Sequence, residues 1–166
     1  MRLLLALFLV LLAATPLISQ TRVADYTITS MKAMLFYDNK GTFSVDVSEA
    51  ELEPFVVPSI LWNTPMEGSS REGASSSVLV TVEVSGEYAA ALTRKIDFTA
   101  RYKPIEGKKE IIVRKSAPIW IRENGKYVAG FWLNEAGCNP VKLTARITGQ
   151  KRSSLMRRFI RFGCGE

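Results

Sequence analysis

Apolar and polar residues alternate along most of this chain, which is the pattern of β-strands that have one buried and one exposed face. The alternation is strongest in residues 78–84, and glycine, proline, asparagine and aspartate fall between the alternating runs as turn signals. We predict strands over residues 26–37, 42–47, 78–84, 92–102, 110–115, 119–122, 127–133, 141–148 and 155–162.

The last two of these runs predict a β-hairpin with a definite register. Pairing Val141 with Ile160 and Ala145 with Met156 keeps apolar side chains opposite one another. Residues 155–162 also have apolar residues at helical spacing, and a basic amphipathic helix there would indicate a membrane surface. We favour the strand because residues 141–148 need a partner.

A second hairpin is predicted around Asn124-Gly125, since this dipeptide readily adopts the positive φ angles of a type I′ turn. Trp120 and Trp132 lie in the two arms of that hairpin. We expect both indoles to fill the core rather than to stack against a sugar or a base.

Residues 48–76 are the least regular part of the chain and are predicted to form one long loop. Three prolines interrupt them, and residues 68–77 have nearly the composition of a linker. Long loops in compact domains often bind ligands, so Trp62 and Asn63 are candidate loop contacts. An acidic run at Asp46, Glu49, Glu51 and Glu53 matches no calcium loop, and we expect it to be a solvated edge or turn.

The first 20 residues have the features of a secretory signal peptide. Two residues including Arg2 precede a 12-residue apolar run, which is too short to cross a bilayer. We expect cleavage after Ser19 or Gln20, a single domain over residues 21–166 with no transmembrane segment, and a secreted or periplasmic location. The 166 residues suffice for one such domain.

The only two cysteines, Cys138 and Cys164, are predicted to form a disulfide in an exported protein. Their index sum differs by one from that of the hairpin pairs, which predicts a bulge or an irregular end near one of them. The bond would close a loop of 25 residues, worth about 3–4 kcal/mol in the chain-entropy model.

The positive charge of the chain is concentrated at its C-terminal end. Beyond residue 140 seven basic residues stand against Glu166 alone, which equals the net charge of +6 for the whole chain. The patch suits anionic lipid or polysaccharide, with nucleic acid not expected; the alternative is a solvated strand face protected from edge pairing by its charge. The candidate anion-binding residues are Lys142, Arg146, Lys151, Arg152, Arg157, Arg158 and Arg161.

The composition excludes several kinds of chemistry. The chain has no histidine, which removes imidazole catalysis and histidine-based zinc sites, and it has no phosphate-binding glycine motif. We expect no metal and no cofactor. A carboxylate-dependent hydrolase is the only enzymatic alternative left, because acidic pairs need no particular motif.

Taken together, the strands, the turns and the lack of a helical pattern predict an all-β fold, an antiparallel β-sandwich of about eight or nine strands. Its general shape would be immunoglobulin-like or fibronectin-like, with a β-barrel as the alternative. For function, we expect an exported, non-catalytic binding or structural module that uses the basic C-terminal hairpin. The alternative is a protein-partner adaptor or inhibitor that uses the 48–76 loop and the sheet edges.

Overall fold

The computed structural model describes residues 25–38, 40–48, 75, 77–88, 94–103, 109–134 and 140–161. Within these ranges the chain forms eight strands and no helix. The strands are β1 (Thr27–Tyr37), β2 (Thr42–Phe43), β3 (Ser77–Ser85), β4 (Lys95–Tyr102), β5 (Ile111–Pro118), β6 (Lys126–Asn134), β7 (Val141–Thr148) and β8 (Leu155–Ile160).

The strands make two antiparallel four-stranded sheets that pack as a β-sandwich. The first sheet has the order β2-β1-β3-β6 and the second has the order β5-β4-β7-β8. The predicted all-β sandwich is therefore confirmed, with eight strands in the described ranges.

The core lies between the sheets and is built from every second residue of the central strands. In β3, for example, Val78, Val80, Val82 and Val84 are buried while the residues between them are partly exposed. Phe98 of the second sheet stacks on Phe131 of the first sheet with ring centroids 4.6 Å apart. Since aromatic side chains bury large areas, this pair joins the two sheets at their centre.

The predicted C-terminal hairpin forms in the predicted register. Val141 lies opposite Ile160 and Ala145 lies opposite Met156. Residues 155–160 are a strand, so the helical alternative is wrong for them. Gly149 takes a φ of 84° in the connecting loop, a conformation that glycine adopts without steric cost.

The Asn124-Gly125 turn is present, with a φ of 72° at Gly125, but the predicted hairpin around it is wrong. The strand before the turn belongs to the second sheet and the strand after it to the first sheet. Ile119 and Ile121 are both buried, which fixes the segment before the turn as the crossing between the sheets.

Burial of these isoleucines turns the residue between them outward. Trp120 is 69% exposed and Trp132 is 41% exposed, so the prediction that both tryptophans fill the core is wrong. Trp132 belongs to the outward-facing set of β6, whose inward positions are Ala129, Phe131 and Leu133.

The predicted strand over residues 42–47 is shorter than expected, because only Thr42 and Phe43 pair as a strand. The following residues run beside β1 and form hydrogen bonds with its backbone groups, through side chains as well as through the main chain. Asp46 accepts hydrogen bonds from the N–H of Ala33 and of Ser48, each at 3.0 Å. The segment therefore covers the outer edge of β1, a device that protects a sheet from further strand pairing.

The loop between β7 and β8 holds the beginning of β1. The side-chain amide of Gln150 exchanges two hydrogen bonds with the backbone of Tyr26, each at 2.9 Å. The hydroxyl of Ser154 accepts from the N–H of Ile28 at 3.0 Å. These contacts connect the second sheet to the first at one end of the sandwich.

Some predictions fall on residues outside the described ranges. They are the signal peptide at residues 1–20, most of the loop at 48–76 with Trp62 and Asn63, and the disulfide between Cys138 and Cys164. Each of these stays a prediction. Within the described ranges, the structure contains no helix of the length and apolarity that crossing a membrane requires.

Candidate functional site

The outer face of the second sheet carries a cluster of basic residues. Because side chains alternate along each strand, every second residue of β4, β5, β7 and β8 points to this face. Five exposed cations on it surround the opposed pair Thr99 and Thr144. We call this surface the cationic face, and the five cations are Arg101, Arg114, Lys142, Arg146 and Arg157.

The strand register sets the arrangement of these cations. Arg101 lies directly opposite Lys142, in the row above the threonine pair. Arg114 and Arg157 lie at the two ends of the threonine row. Since neighbouring strands are about 4.8 Å apart and alternate residues of one strand about 7 Å apart, the cations form a regular array.

Asp97 is the one carboxylate among the described outward-facing positions of these four strands, and it is already engaged. It accepts hydrogen bonds from the hydroxyls of Ser116 at 2.9 Å and Thr148 at 3.1 Å. The ammonium of Lys95 lies 3.4 Å from the same carboxylate. Asp97 therefore does little to neutralise the rest of the face, although Arg146 lies opposite it in the register.

These contacts also set the protonation of Asp97. Partial burial alone raises the pKa of the carboxyl group, but the hydrogen bonds from Ser116 and Thr148 and the positive charge of Lys95 together outweigh it. The pKa of Asp97 is thus lowered below its ordinary value of 3.8, and the group is ionised at neutral pH.

Four of the cations take part in no salt bridge within the described ranges. Arg101, Arg114, Lys142 and Arg146 form no ion pair there. Like charges directly opposite each other on neighbouring strands destabilise a sheet, so the Arg101–Lys142 pair has a cost for the isolated fold. An anion that binds between the two side chains would remove that cost.

A shallow depression with a volume of about 240 Å³ lies beside the Arg101–Lys142 pair of the cationic face. Arg101, Lys103 and Lys142 line it together with the half-buried ring of Phe159, and Glu110 is the one carboxylate among the lining residues that the structure describes. The depression therefore combines positive charge with an apolar wall, which suits a ligand that carries an anionic group on a partly apolar body.

The seven candidate anion-binding residues separate into groups. Lys142, Arg146 and Arg157 project from the cationic face. Lys151 and Arg152 lie in the loop between β7 and β8, and Arg161 follows the end of β8.

Arg158 differs from the other candidates because it faces the opposite side of its strand. It pairs with the buried Leu143 and is itself half-buried. Its Nε atom is buried and has no hydrogen-bond partner. Adjacent residues of one strand point to opposite faces, so Arg157 and Arg158 cannot act on the same ligand through one face.

Sequence reasoning did not identify Arg101 and Arg114 as part of the patch. The charge count treated everything before residue 140 as neutral, and that balance concealed which residues share a face. The alternation of Lys95, Asp97, Thr99 and Arg101 along β4 was visible, but only the β4–β7 pairing brings it beside the C-terminal hairpin.

The outer face of the first sheet has a different character. Phe36, Phe43 and Trp132 form an aromatic cluster on it, with ring centroids 5.1 to 6.0 Å apart. Phe36 and Trp132 meet edge to face at 5.6 Å, a favourable arrangement for aromatic rings. The small side chain of Ser77 lies between their strands in the register, which leaves room for this contact.

A wider depression of about 590 Å³ lies beside the Asn124-Gly125 turn. Trp120, Val128 and Tyr127 line it along with the ion pair between Glu83 and Lys126, whose charged atoms are 3.2 Å apart. Within the described ranges, no group of three or more acidic or cysteine side chains comes together as a metal ion would require.

Comparisons of the chain with protein-family models and with curated proteins found no match.

Proposed function

We propose that this protein is an exported, non-catalytic module that binds an acidic polysaccharide through the cationic face. The observation that carries the proposal is the set of four cations, Arg101, Arg114, Lys142 and Arg146, that form no ion pair in the described ranges. Natural sheets often use scattered charge to protect an edge, but Arg101 lies on β4, which has a strand on each side.

The shape of the face favours an extended polymer. The four strands present their charges in a regular array with threonine hydroxyls at its centre, so a chain with regularly spaced carboxylates can contact several cations at once. Leu155, 40% exposed, is the most exposed large apolar residue described on this face. A membrane-binding surface usually adds larger apolar groups to its positive charge.

The test is binding to polygalacturonate over a series of salt concentrations, with neutral dextran as the reference polymer. Four cations that replace counterions on a polyanion give a slope of about −3 in log affinity against log salt concentration. The double variant Arg101→Gln/Lys142→Gln should weaken binding by at least about tenfold, since two charge contacts are lost.

A matched control removes the same charge elsewhere. Lys32 and Arg122 are exposed, and both lie outside the cationic face. The variant Lys32→Gln/Arg122→Gln should keep most of the affinity. Equal losses in the two double variants would show that only net charge matters and would overturn the assignment of the face. Tighter binding to vesicles of phosphatidylglycerol and phosphatidylcholine than to the polymer would also overturn the proposal.

A further inference from the structure

The outer edge of β6 has unpaired backbone groups whose direction follows from the register. Gly86 donates its N–H to the carbonyl of Gly125 at 3.0 Å, one step beyond the β3–β6 ladder. Hydrogen-bonded and non-hydrogen-bonded pairs alternate in an antiparallel ladder. The backbone N–H and C=O groups of Val128, Gly130 and Trp132 therefore point away from β3, toward the edge.

Two contacts of the chain itself close both ends of this edge. The ammonium of Lys115 donates to the carbonyl of Trp132 at 2.6 Å. At the other end, the N–H of Arg122 donates to the carbonyl of Lys126 at 3.5 Å. Between these caps, the outward groups of Val128 and Gly130 have no hydrogen bond with another part of the described chain. The open edge is thus about five residues long.

Gly130 makes a gap in the outer face beside this edge. Its neighbours on the same face, Val128 and Trp132, are 56% and 41% exposed. A Cβ atom at Gly130 would lie 3.4 Å from a methyl of Leu79, and the φ of Gly130 is not positive. Neither the backbone nor the packing therefore requires glycine here. A bulky side chain from an added strand would fill the gap between Val128 and Trp132.

Lys115 determines the charge that an added strand should carry. It belongs to the inward-facing set of β5, opposite the buried Phe98, and reaches the edge of β6 from the other sheet. A strand that pairs with Trp132 would take over its carbonyl oxygen. The ammonium would then need another acceptor, and an acidic side chain opposite Phe131 would supply one.

We propose that the edge of β6 binds an extended peptide segment of another protein by antiparallel strand addition. The segment has apolar residues at its first, third and fifth positions, opposite Trp132, Gly130 and Val128, and an acidic residue at its second position. This mode gains affinity from main-chain hydrogen bonds and specificity from alternate side chains. A second copy of this chain fits less well, because it would bring its own Lys115 and Arg122 to an edge that already carries those cations.

The probe is the acetylated and amidated pentapeptide Val-Glu-Phe-Thr-Val, added to isotope-labelled protein and followed by the backbone amide signals. We expect the largest shifts at Val128, Gly130 and Trp132, with slower hydrogen exchange at these amides. Methylation of the peptide nitrogen at the third residue removes a bond to Gly130, so affinity should fall at least about tenfold. Methylation at the fourth residue, whose N–H points away from β6, should change it little.

Variants of the protein provide a second measurement. Gly130→Pro removes an outward N–H and no bond of the β3–β6 ladder, so it should abolish the shifts while thermal unfolding shows that the sandwich persists. Gly130→Ala keeps the N–H and should still bind. Lys115→Ala should weaken the glutamate peptide but not its glutamine counterpart.

Three results would overturn the proposal. The first is equal effects of the two methylated peptides, and the second is shifts confined to other surfaces. The third is self-association that Gly130→Pro abolishes in the absence of peptide shifts, which would identify a second copy as the occupant. None of these results depends on the cationic face, so the polysaccharide proposal is tested separately.

Discussion

The two outer faces of this sandwich share one core but present opposite chemistry. The first sheet exposes an aromatic cluster of Phe36, Phe43 and Trp132, with the ion pair of Glu83 and Lys126 on the same face. The second sheet exposes five cations around a pair of threonines, and Asp97, the one carboxylate among its described outward positions, is held by Lys95 and two hydroxyls. Both faces follow the same alternation of inward and outward residues. This alternation determines which residues point outward, but it does not determine whether they are apolar or charged.

The two faces also affect the stability of the fold in opposite directions. Contacts within the aromatic cluster stabilise the first face, because rings that touch exclude water from one another. Four cations of the second face form no ion pair within the described ranges and repel one another, most directly where Arg101 lies opposite Lys142. A face that costs stability in isolation is the better candidate for a binding surface, because a ligand of opposite charge removes the cost.

The largest effect is expected from the core that both faces share. Phe98→Ala removes one ring of the stacked pair and leaves a cavity between the sheets. The free energy of unfolding should fall by about 3–5 kcal/mol, measured by denaturant titration. Phe43→Ala, at a ring that is 45% exposed, is the matched control and should cost much less. Similar losses in the two variants would contradict the assignment of the core.

Trp132→Ala tests whether the aromatic cluster stabilises its face. It removes two ring contacts, and we expect a loss of about 1–2 kcal/mol in the free energy of unfolding with unchanged binding to polygalacturonate. Trp120→Ala removes a ring that is 69% exposed and should change stability little. A loss of polymer binding in Trp132→Ala would show that the first sheet's outer face also takes part in binding.

Substitutions at Arg157 and Arg158 compare the effects of an outward and an inward side chain on the same strand. Arg158→Met keeps an apolar stem and removes a buried Nε atom that has no hydrogen bond, so the free energy of unfolding should rise by about 1 kcal/mol. Arg157→Met should instead weaken polymer binding, with stability nearly constant. If Arg158→Met weakened polymer binding as much as Arg157→Met does, the assignment of the two arginines to opposite faces of β8 would be wrong.

Lys142→Glu replaces a like-charge pair with an opposite-charge pair beside Arg101. The exposed pair should raise the free energy of unfolding by about 0.2–1 kcal/mol while polymer binding falls. Thermal unfolding and binding measured on the same sample would show the two changes in opposite directions. Parallel changes would mean that the like-charge pair carries no cost.

The smallest effect is expected at Asp97, whose lowered pKa makes its contribution depend on pH. A group with a lowered folded pKa stabilises the fold above its unfolded pKa of 3.8 and loses that contribution as pH falls through the folded value. The stability difference between the protein and its Asp97→Asn variant should be constant above about pH 5 and shrink below pH 3.8. A difference that persists at pH 2 would mean that the carboxylate charge is not its source.

The pattern of apolar and polar residues predicted those parts of the fold that depend on residues close to one another in the sequence. The register of the C-terminal hairpin followed from matching apolar residues across a short loop, and the structure confirms it. The Asn124-Gly125 turn also forms, but its flanking strands belong to different sheets. Turn propensity acts over four residues, whereas the crossing depends on the burial of Ile119 and Ile121 in the core.

The candidate site was predicted only in part for the same reason. From the sequence, Arg157 and Arg158 were predicted to belong to one patch, whereas the structure places them on opposite faces of β8. Alternation within β7 placed Lys142 and Arg146 on a shared face, which the structure shows. It could not place Arg101 and Arg114 beside them, because that requires knowing which distant strands are neighbours. The tryptophans were assigned to the core as residues of two facing arms of one predicted hairpin, although strand parity puts Trp132 on the outward side with Val128 and Gly130.

The hydrogen bonds between the loop at residues 150–154 and the start of β1 have a consequence for the order of folding. They join groups that are 124 to 127 positions apart in the chain. Closing such a long loop costs entropy before any contact repays it, and folds rich in distant contacts fold in milliseconds to seconds. During synthesis, the start of β1 leaves the ribosome first but must wait for residues 150–154 before its end can be fastened. The nascent chain therefore stays incompletely folded through most of its translation.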